Sequence, residues 1–339
     1  MTYLRFLHWT LAALVALGAA ACSGAAAGTP VDLPDGEPGL GFDDLRYSPA
    51  LHRVLAPGAR SGKLYLVDPD TLAVETIEGF GATDDYAGGH DDGPTSVDES
   101  EGRLYVTDRT TKRLHVFDAA SRKALGSVDL GAGPDYVRFI PATGELWVTE
   151  PGNDRLAIYK LPAAGDVLNP ELVETIPVDN GPESLVVSGK LAYTHRWQAK
   201  SLVFDVETRK VVAEWDNGCA ASRGLAFDSE TGIFVAGCNE GTVSAIDASG
   251  KIVSSLAKGS GFDVMGFSPS LRHLYLAGGS CGCLLVVGLT RAGALKYLGR
   301  FDAPSSTHCA VADDVGHAWV CDPDGGRLWR VDDPFPPTS

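Results

Sequence analysis

The chain has 339 residues, with 44 aspartates and glutamates against 28 lysines and arginines, and a formal net charge of −16. So acidic a body repels phosphate backbones and anionic lipid faces, which excludes nucleic-acid binding and flat attachment to a membrane. Forty glycines, 20 prolines and an apolar content of 44 % suit a turn-dense all-β chain with enough apolar mass for a core.

Residues 1–21 read as an export signal. Arg5 is their one charge, an apolar run spans Leu11 to Leu17, and Ala19-Ala20-Ala21 precede Cys22. That run is too short to cross a membrane as a mature helix. The stretch resembles a bacterial lipoprotein lipobox, with Ala19 where leucine is usual. The resemblance implies lipidation of Cys22 as the new N-terminus, and Ser23 after it implies sorting to the outer membrane. A lipid on Cys22 is then the expected contact with a membrane. The alternative is an ordinary cut after Ala21 and a periplasmic or secreted protein. Residues 22–41 are small, Pro-rich and Gly-rich, and read as a processed N-terminus and tether.

From residue 42 to residue 333 the chain repeats one unit. In Gly93–Asp118 three short runs rich in β-branched and aromatic residues are separated by turn-forming clusters, a strand–turn–strand–loop–strand pattern. The last run ends on Asp118, and the ending recurs at Asp68, Asp205, Asp247 and Asp332, with degenerate copies at Lys160 and Gly288. The register points stand 50, 42, 45, 42, 41 and 44 residues apart. Such a period, with only strand signals inside it, marks a β-propeller. The expected fold is all-β, a seven-bladed β-propeller of four-stranded blades, with strand A innermost and strand D outermost. After Asp332 only DPFPPTS follows, and its prolines cannot supply a ladder strand, so residues 334–339 read as a tail. The outer strand of blade seven must then come from elsewhere. Thr29–Gly41 is the spare segment, although Pro30, Pro34 and Pro38 make it a poor strand.

Leu104-Tyr105-Val106-Thr107-Asp108 and Leu146-Trp147-Val148-Thr149-Glu150 resemble the second-strand signature of the YVTN family of β-propellers. Gly93-Pro94, Gly133-Pro134 and Gly181-Pro182 resemble that family's entry into the inner strand. Blades five to seven depart from the signature, with Phe234-Val235-Ala236-Gly237, Tyr275-Leu276-Ala277-Gly278 and Trp319-Val320-Cys321-Asp322. The resemblance implies a fold and says little of function, because related blades serve surface proteins, quinoprotein and copper-enzyme domains and lactonases. Function must come from the site.

With Cys22 set aside, six cysteines remain in a chain expected to be exported, which favours disulfides. Strand A runs antiparallel to strand B, so the start of A lies beside the end of B. Cys219 and Cys238 hold those places in blade five, and Cys309 and Cys321 hold them in blade seven. These two pairs are therefore expected. Cys281-Gly282-Cys283 bridges only if Gly282 makes a turn, and either cysteine free is the alternative. Metal binding by these thiols is a rival, but Cys-x-Cys lacks a knuckle spacing. No Cys-x-x-Cys-His is present, so covalent haem is out.

Ligand sites in such folds sit in the funnel formed by the D-to-A and B-to-C loops. This chain sends His90, Asp91, Asp92, Asp135, Tyr136, Glu183, Arg223, Asp263 and His308 there from D-to-A loops. Arg109, Asn153 and Thr194-His195-Arg196-Trp197-Gln198 come from B-to-C loops. The candidate ligand-binding set is His90, His195, Arg196, Trp197, Arg223 and His308. Their positive or switchable charge inside an acidic body suits an anionic or carboxylate-bearing ligand, and Trp197 adds an apolar platform. The bland alternative is solvated loop side chains. No Ser-His-Asp order, Walker loop, Rossmann fingerprint or HExxH motif occurs. No catalytic residue, metal or cofactor is assigned. The reading is a cell-envelope propeller that binds a partner protein or small ligand through its funnel without catalysis. The alternatives are a lactonase-like hydrolase using funnel His and Arg, and a scaffold in a periplasmic redox or metal pathway.

Overall fold

The structure, a computed structural model, describes residues 28–85, 89–162 and 167–339. The export signal and Cys22 lie outside the described residues. Among those described, seven antiparallel sheets of four strands form the propeller. Blade two shows the plan: strand A is Pro94–Ser100, B is Arg103–Asp108, C is Arg113–Asp118 and D is Ala124–Asp129, each paired with the next.

The aspartate that marks the repeat is a turn residue. Asp118 Oδ1 accepts hydrogen bonds from the backbone N–H and the hydroxyl of Ser121. Asp205 does the same with Thr208, Asp68 accepts from the N–H groups of Asp70 and Thr71, and Asp247 accepts from those of Ser249 and Lys251. These local bonds turn the chain from strand C into strand D.

Burial falls from the second strand outward. Glu145–Glu150 and Ile233–Cys238, both B strands, are buried along their whole length, whereas Glu171–Pro177, a D strand, is exposed at all but one position. The B strands are covered on both faces by neighbouring blades, which is why they read as near-continuous apolar runs. Rings lock one blade to the next: Tyr105 stacks on Phe139 with centroids 5.6 Å apart, and Trp147 meets Phe204 edge-on at 6.0 Å.

Blade seven is closed by the N-terminal segment. Its strands A, B and C are Ala310–Ala312, His317–Asp322 and Arg327–Asp332, and its outer strand is Thr29–Asp32, paired from Thr29↔Arg330 to Asp32↔Arg327. The strand is short and lies at an edge, where Pro30 has no ladder bond to donate. The segment after Asp332 folds back onto blade six. Asp333 Oδ2 accepts from His273 Nδ1 and from the Tyr275 hydroxyl at 2.7 and 2.6 Å, and the Phe335 ring lies against Gly299 and Phe301.

Three disulfides follow the expected places. Cys219–Cys238 and Cys309–Cys321 each join the entry of strand A to the end of strand B in one blade, with Cα atoms 5.2 and 5.6 Å apart. Cys281–Cys283 closes a turn in which Gly282 has a φ of 54°.

Candidate functional site

The connections into the A strands, with those from B to C, bring polar side chains from all seven blades together on one face. Blade one sends Asp43, blade two His90 and Arg109, and blade three Asp135. Blade four sends Glu183 and Trp197, blade five Arg223, blade six Asp263, and blade seven His308.

At the floor, His90 Nδ1 donates to Asp43 Oδ2 at 3.1 Å. Arg109 reaches the same oxygen at 3.5 Å and also pairs with Asp135. Arg109 further donates to the carbonyls of Pro134 and His90, at 2.9 and 3.0 Å, and so fixes the entries of blades two and three. Arg60 holds the loop before His90 through the carbonyls of Asp85 and Gly89. His308 stacks on His90 with ring centroids 5.2 Å apart. Its Nδ1 faces the Ser306 carbonyl at 2.9 Å and its Nε2 the Phe42 carbonyl at 2.8 Å. Carbonyls only accept, so either ring nitrogen bonds there only as an N–H donor.

The carboxylates divide into two kinds. Burial works to raise Asp43, but the adjacent His90 and Arg109 outweigh it and hold the group ionised. Burial and then the charge of Asp43 push Asp135 up to about 8, against the pull of Arg109. The two acids form one coupled pair whose pKa values are pushed apart, Asp43 down and Asp135 up. Burial likewise raises Glu183 and Asp263, with neighbouring carboxylates adding to it. His90 is pushed up to about 10, chiefly by the charge of Asp43.

Nearer the mouth, Trp197 Nε1 donates to Glu183 Oε2 at 2.7 Å, which holds an indole that is 38 % exposed. Arg223 donates to the Ser222 carbonyl at 2.8 Å and makes no ion pair among the described residues. It lies within electrostatic reach of both Glu183 and Asp263. The Asp263 carboxylate accepts no hydrogen bond among the described residues.

Of the six candidates, His90, Arg223, Trp197 and His308 join this cluster. His195 and Arg196 do not. His195 is wholly buried at the end of strand B in blade four (Leu191–His195), with Nε2 donating to the Gly224 carbonyl at 3.0 Å and Nδ1 beside Ser201 at 2.9 Å. Burial lowers its pKa to about 4, so it is a neutral core residue. Arg196 turns outward to the Asp179 carbonyl and to Glu214 on strand D. The strand ends at His195, and Arg196 and Trp197 follow it in the turn to strand C, so the three side chains leave the backbone in different directions. Asp43, the centre of the floor, is missing from the candidate set. The signal was its place just before strand A of blade one, as Asp135 stands before that of blade three. The thiols beside this site are committed to disulfides.

No protein-family model matches the chain. It is 36 % identical over 81 residues to NHL repeat-containing protein 3 of Mus musculus, and 33 % identical over 81 residues to the Homo sapiens protein. Each match takes in 23 % of this chain and 23 % of the relative, so the likeness spans about a quarter of either protein's length. Among solved structures, a chain of a mitotic checkpoint complex aligns with a TM-score of 0.72 at 15 % identity, covering 97 % of this chain and 99 % of that one. U3-55K aligns at 0.71 and 12 % identity, covering 91 % and 99 %. The Cps50 (Swd1) β-propeller domain of Myceliophteria thermophila aligns at 0.68 and 11 %, covering 88 % and 98 %. At such identities the shared property is the propeller fold.

Proposed function

We propose that this protein is a binding propeller whose funnel takes a carboxylate-bearing group, carried by a small molecule or by a partner protein. The observation that carries the reading is Arg223, a cation in an acidic funnel with no ion pair of its own among the described residues. A planar guanidinium meets a carboxylate through two parallel bonds. Asp263 beside it has unused acceptor capacity, which favours a ligand that also carries hydroxyl or amino donors. Trp197, fixed by Glu183, gives a rigid apolar wall. A propeller is typically a protein-interaction scaffold, which is consistent with a ligand group presented by a partner.

A thermal-shift screen of hydroxy- and amino-carboxylates at low salt tests this. Stabilisation that Arg223→Ala and Asp263→Asn both abolish supports the reading. No stabilisation, or stabilisation that Arg223→Ala retains, overturns it.

A second reading is a lactonase-like hydrolase. The neighbouring acids Asp43, lowered, and Asp135, raised, favour it, since two carboxyls whose pKa values are pushed apart can take and give a proton. Base uptake in a pH-stat with a panel of lactones, compared with Asp135→Asn, decides between binding and hydrolysis. The finer kinship with YVTN propellers and the placement in the cell envelope belong to the same proposal and rest on the sequence signatures given above. Labelling with radioactive palmitate, lost in Cys22→Ala, tests the anchor.

A further inference from the structure

We propose that the axis carries a second ligand site, opening on the face opposite the funnel, for a neutral and mostly apolar small molecule with one hydrogen-bond acceptor. The proposal does not rest on the funnel reading. Below the funnel the A strands leave a cavity of about 460 Å³. That volume falls within the usual span for small-molecule sites, roughly 300–1,000 Å³. Pro49, Pro269 and Asp314 border it, and all three lie at turns from strand A to strand B, the end of the blades away from the funnel.

The walls are unequal. Blades four to seven present Leu185, Leu225, Phe227, Met265, Phe267 and Val311, an apolar half-cylinder. Blades one and three present the polar side, where the charges are already matched. Arg138 reaches across to both oxygens of Asp44 at 2.6 and 2.9 Å, and Arg46 pairs with Asp98 at 3.0 Å. This wall therefore offers no charge to a ligand. At the mouth, Asp314 accepts from the Tyr47 hydroxyl and Asp313 stands beside it, so an anionic ligand is repelled.

Two buried donors of lining residues have no hydrogen-bond partner among the described residues, the Arg138 Nε–H, whose charge Asp44 already meets, and the Tyr136 hydroxyl. The Tyr136 side chain lines the cavity, is 2 % exposed, and its hydroxyl has no hydrogen-bond partner. Asp43, Asp135, Asp44 and Asp263 all act on that hydroxyl, which places the ring between funnel and cavity. Burial, reinforced by these carboxylates, raises the pKa of the phenol, so it keeps its proton and is a donor. Buried donors are almost always paired, and a ligand acceptor in the cavity would pair this one. An apolar body against blades four to seven and one acceptor toward Tyr136 define the ligand class.

The test titrates the full chain with prodan, a neutral naphthyl ketone, and reads its emission. One saturable, blue-shifted component is expected. Met265→Trp and Val311→Phe, which fill the apolar side, should abolish it, with circular dichroism confirming their fold. Tyr136→Phe should weaken it about three- to tenfold, the range for one net hydrogen bond. Arg223→Ala, in the funnel, should leave it unchanged. Absence of saturable binding, survival of binding in both filled variants, or a loss caused by Arg223→Ala overturns the proposal. Should the filled variants fail to fold, unchanged affinity in Tyr136→Phe overturns it alone.

Discussion

His90 keeps a proton because its ring faces an ionised carboxylate, and that single relation sets how the funnel floor responds to pH. Its pKa of about 10 in the folded chain lies above the ordinary histidine value of 6.5. A group raised in this way contributes stability that is fully present below the unfolded value and is lost as pH rises through the folded one. His90→Gln should therefore lower stability at pH 7 by about 1.5–3 kcal/mol, the scale of one charged hydrogen bond. The difference from the unaltered chain should vanish above pH 10. Urea denaturation at the two pH values measures both. His195 behaves in the opposite sense: it is buried neutral, and its role is to satisfy Ser201 and the Gly224 carbonyl between blades four and five.

At the scale of the element, the repeat's aspartates act on turns. Thr71, Ser121, Thr208 and Ser249 lower the pKa of Asp68, Asp118, Asp205 and Asp247 through hydrogen bonds that only the ionised form accepts fully. Depressed carboxylates stabilise above their unfolded pKa and lose that contribution as pH falls through the folded one. Asp118→Ala and Asp205→Ala should each lower the melting temperature at pH 7, and the deficit should shrink toward pH 3. The closing strand is the second element with a measurable role. Val31 and Leu33 are buried against the blade-seven core. Deleting residues 28–33 should cost about 3 kcal/mol from these two side chains and expose the edge of Arg327–Asp332. An unchanged melt would reduce the segment to a tether.

At the scale of the molecule, blades one to three are tied to one another by a buried charge as well as by apolar packing. Arg138 from blade three meets Asp44 from blade one, and Ser96 of blade two donates to the same carboxylate at 2.6 Å. Both charges are almost fully buried. Removing one partner of such a pair leaves the other uncompensated, at a cost of about 3–5 kcal/mol. Arg138→Leu should show that loss in chemical denaturation, whereas the double variant Arg138→Leu, Asp44→Leu should recover much of it. The chain end adds a further tie between blades. Burial works to raise Asp333, but its bonds to His273 and Tyr275 outweigh it and lower the pKa, so this clasp too weakens only in acid.

The period of the Asp-terminated runs was enough to give seven blades, because a sheet that must bury two faces repeats its apolar pattern at a fixed length. The blade-internal disulfides were equally local: antiparallel pairing of A with B brings Cys219 to Cys238 whatever the rest of the chain does. The site was legible only by loop. Sequence placed Asp135, Glu183 and Asp263 in the funnel loops beside His90 and Arg223, yet could not say which way each side chain turns. His195, Arg196 and Trp197 are consecutive, and only the packing of blade four against blade five decides that the first is core, the second faces the rim and the third faces the funnel. The meeting of Asp43 with His90, the stacking of His308 on His90 and the span of Arg138 to Asp44 join residues dozens to hundreds apart. The first and last need neighbouring blades packed side by side, and the stacking of His308 on His90 exists only once the ring closes, because closure alone brings blade seven beside blades one and two.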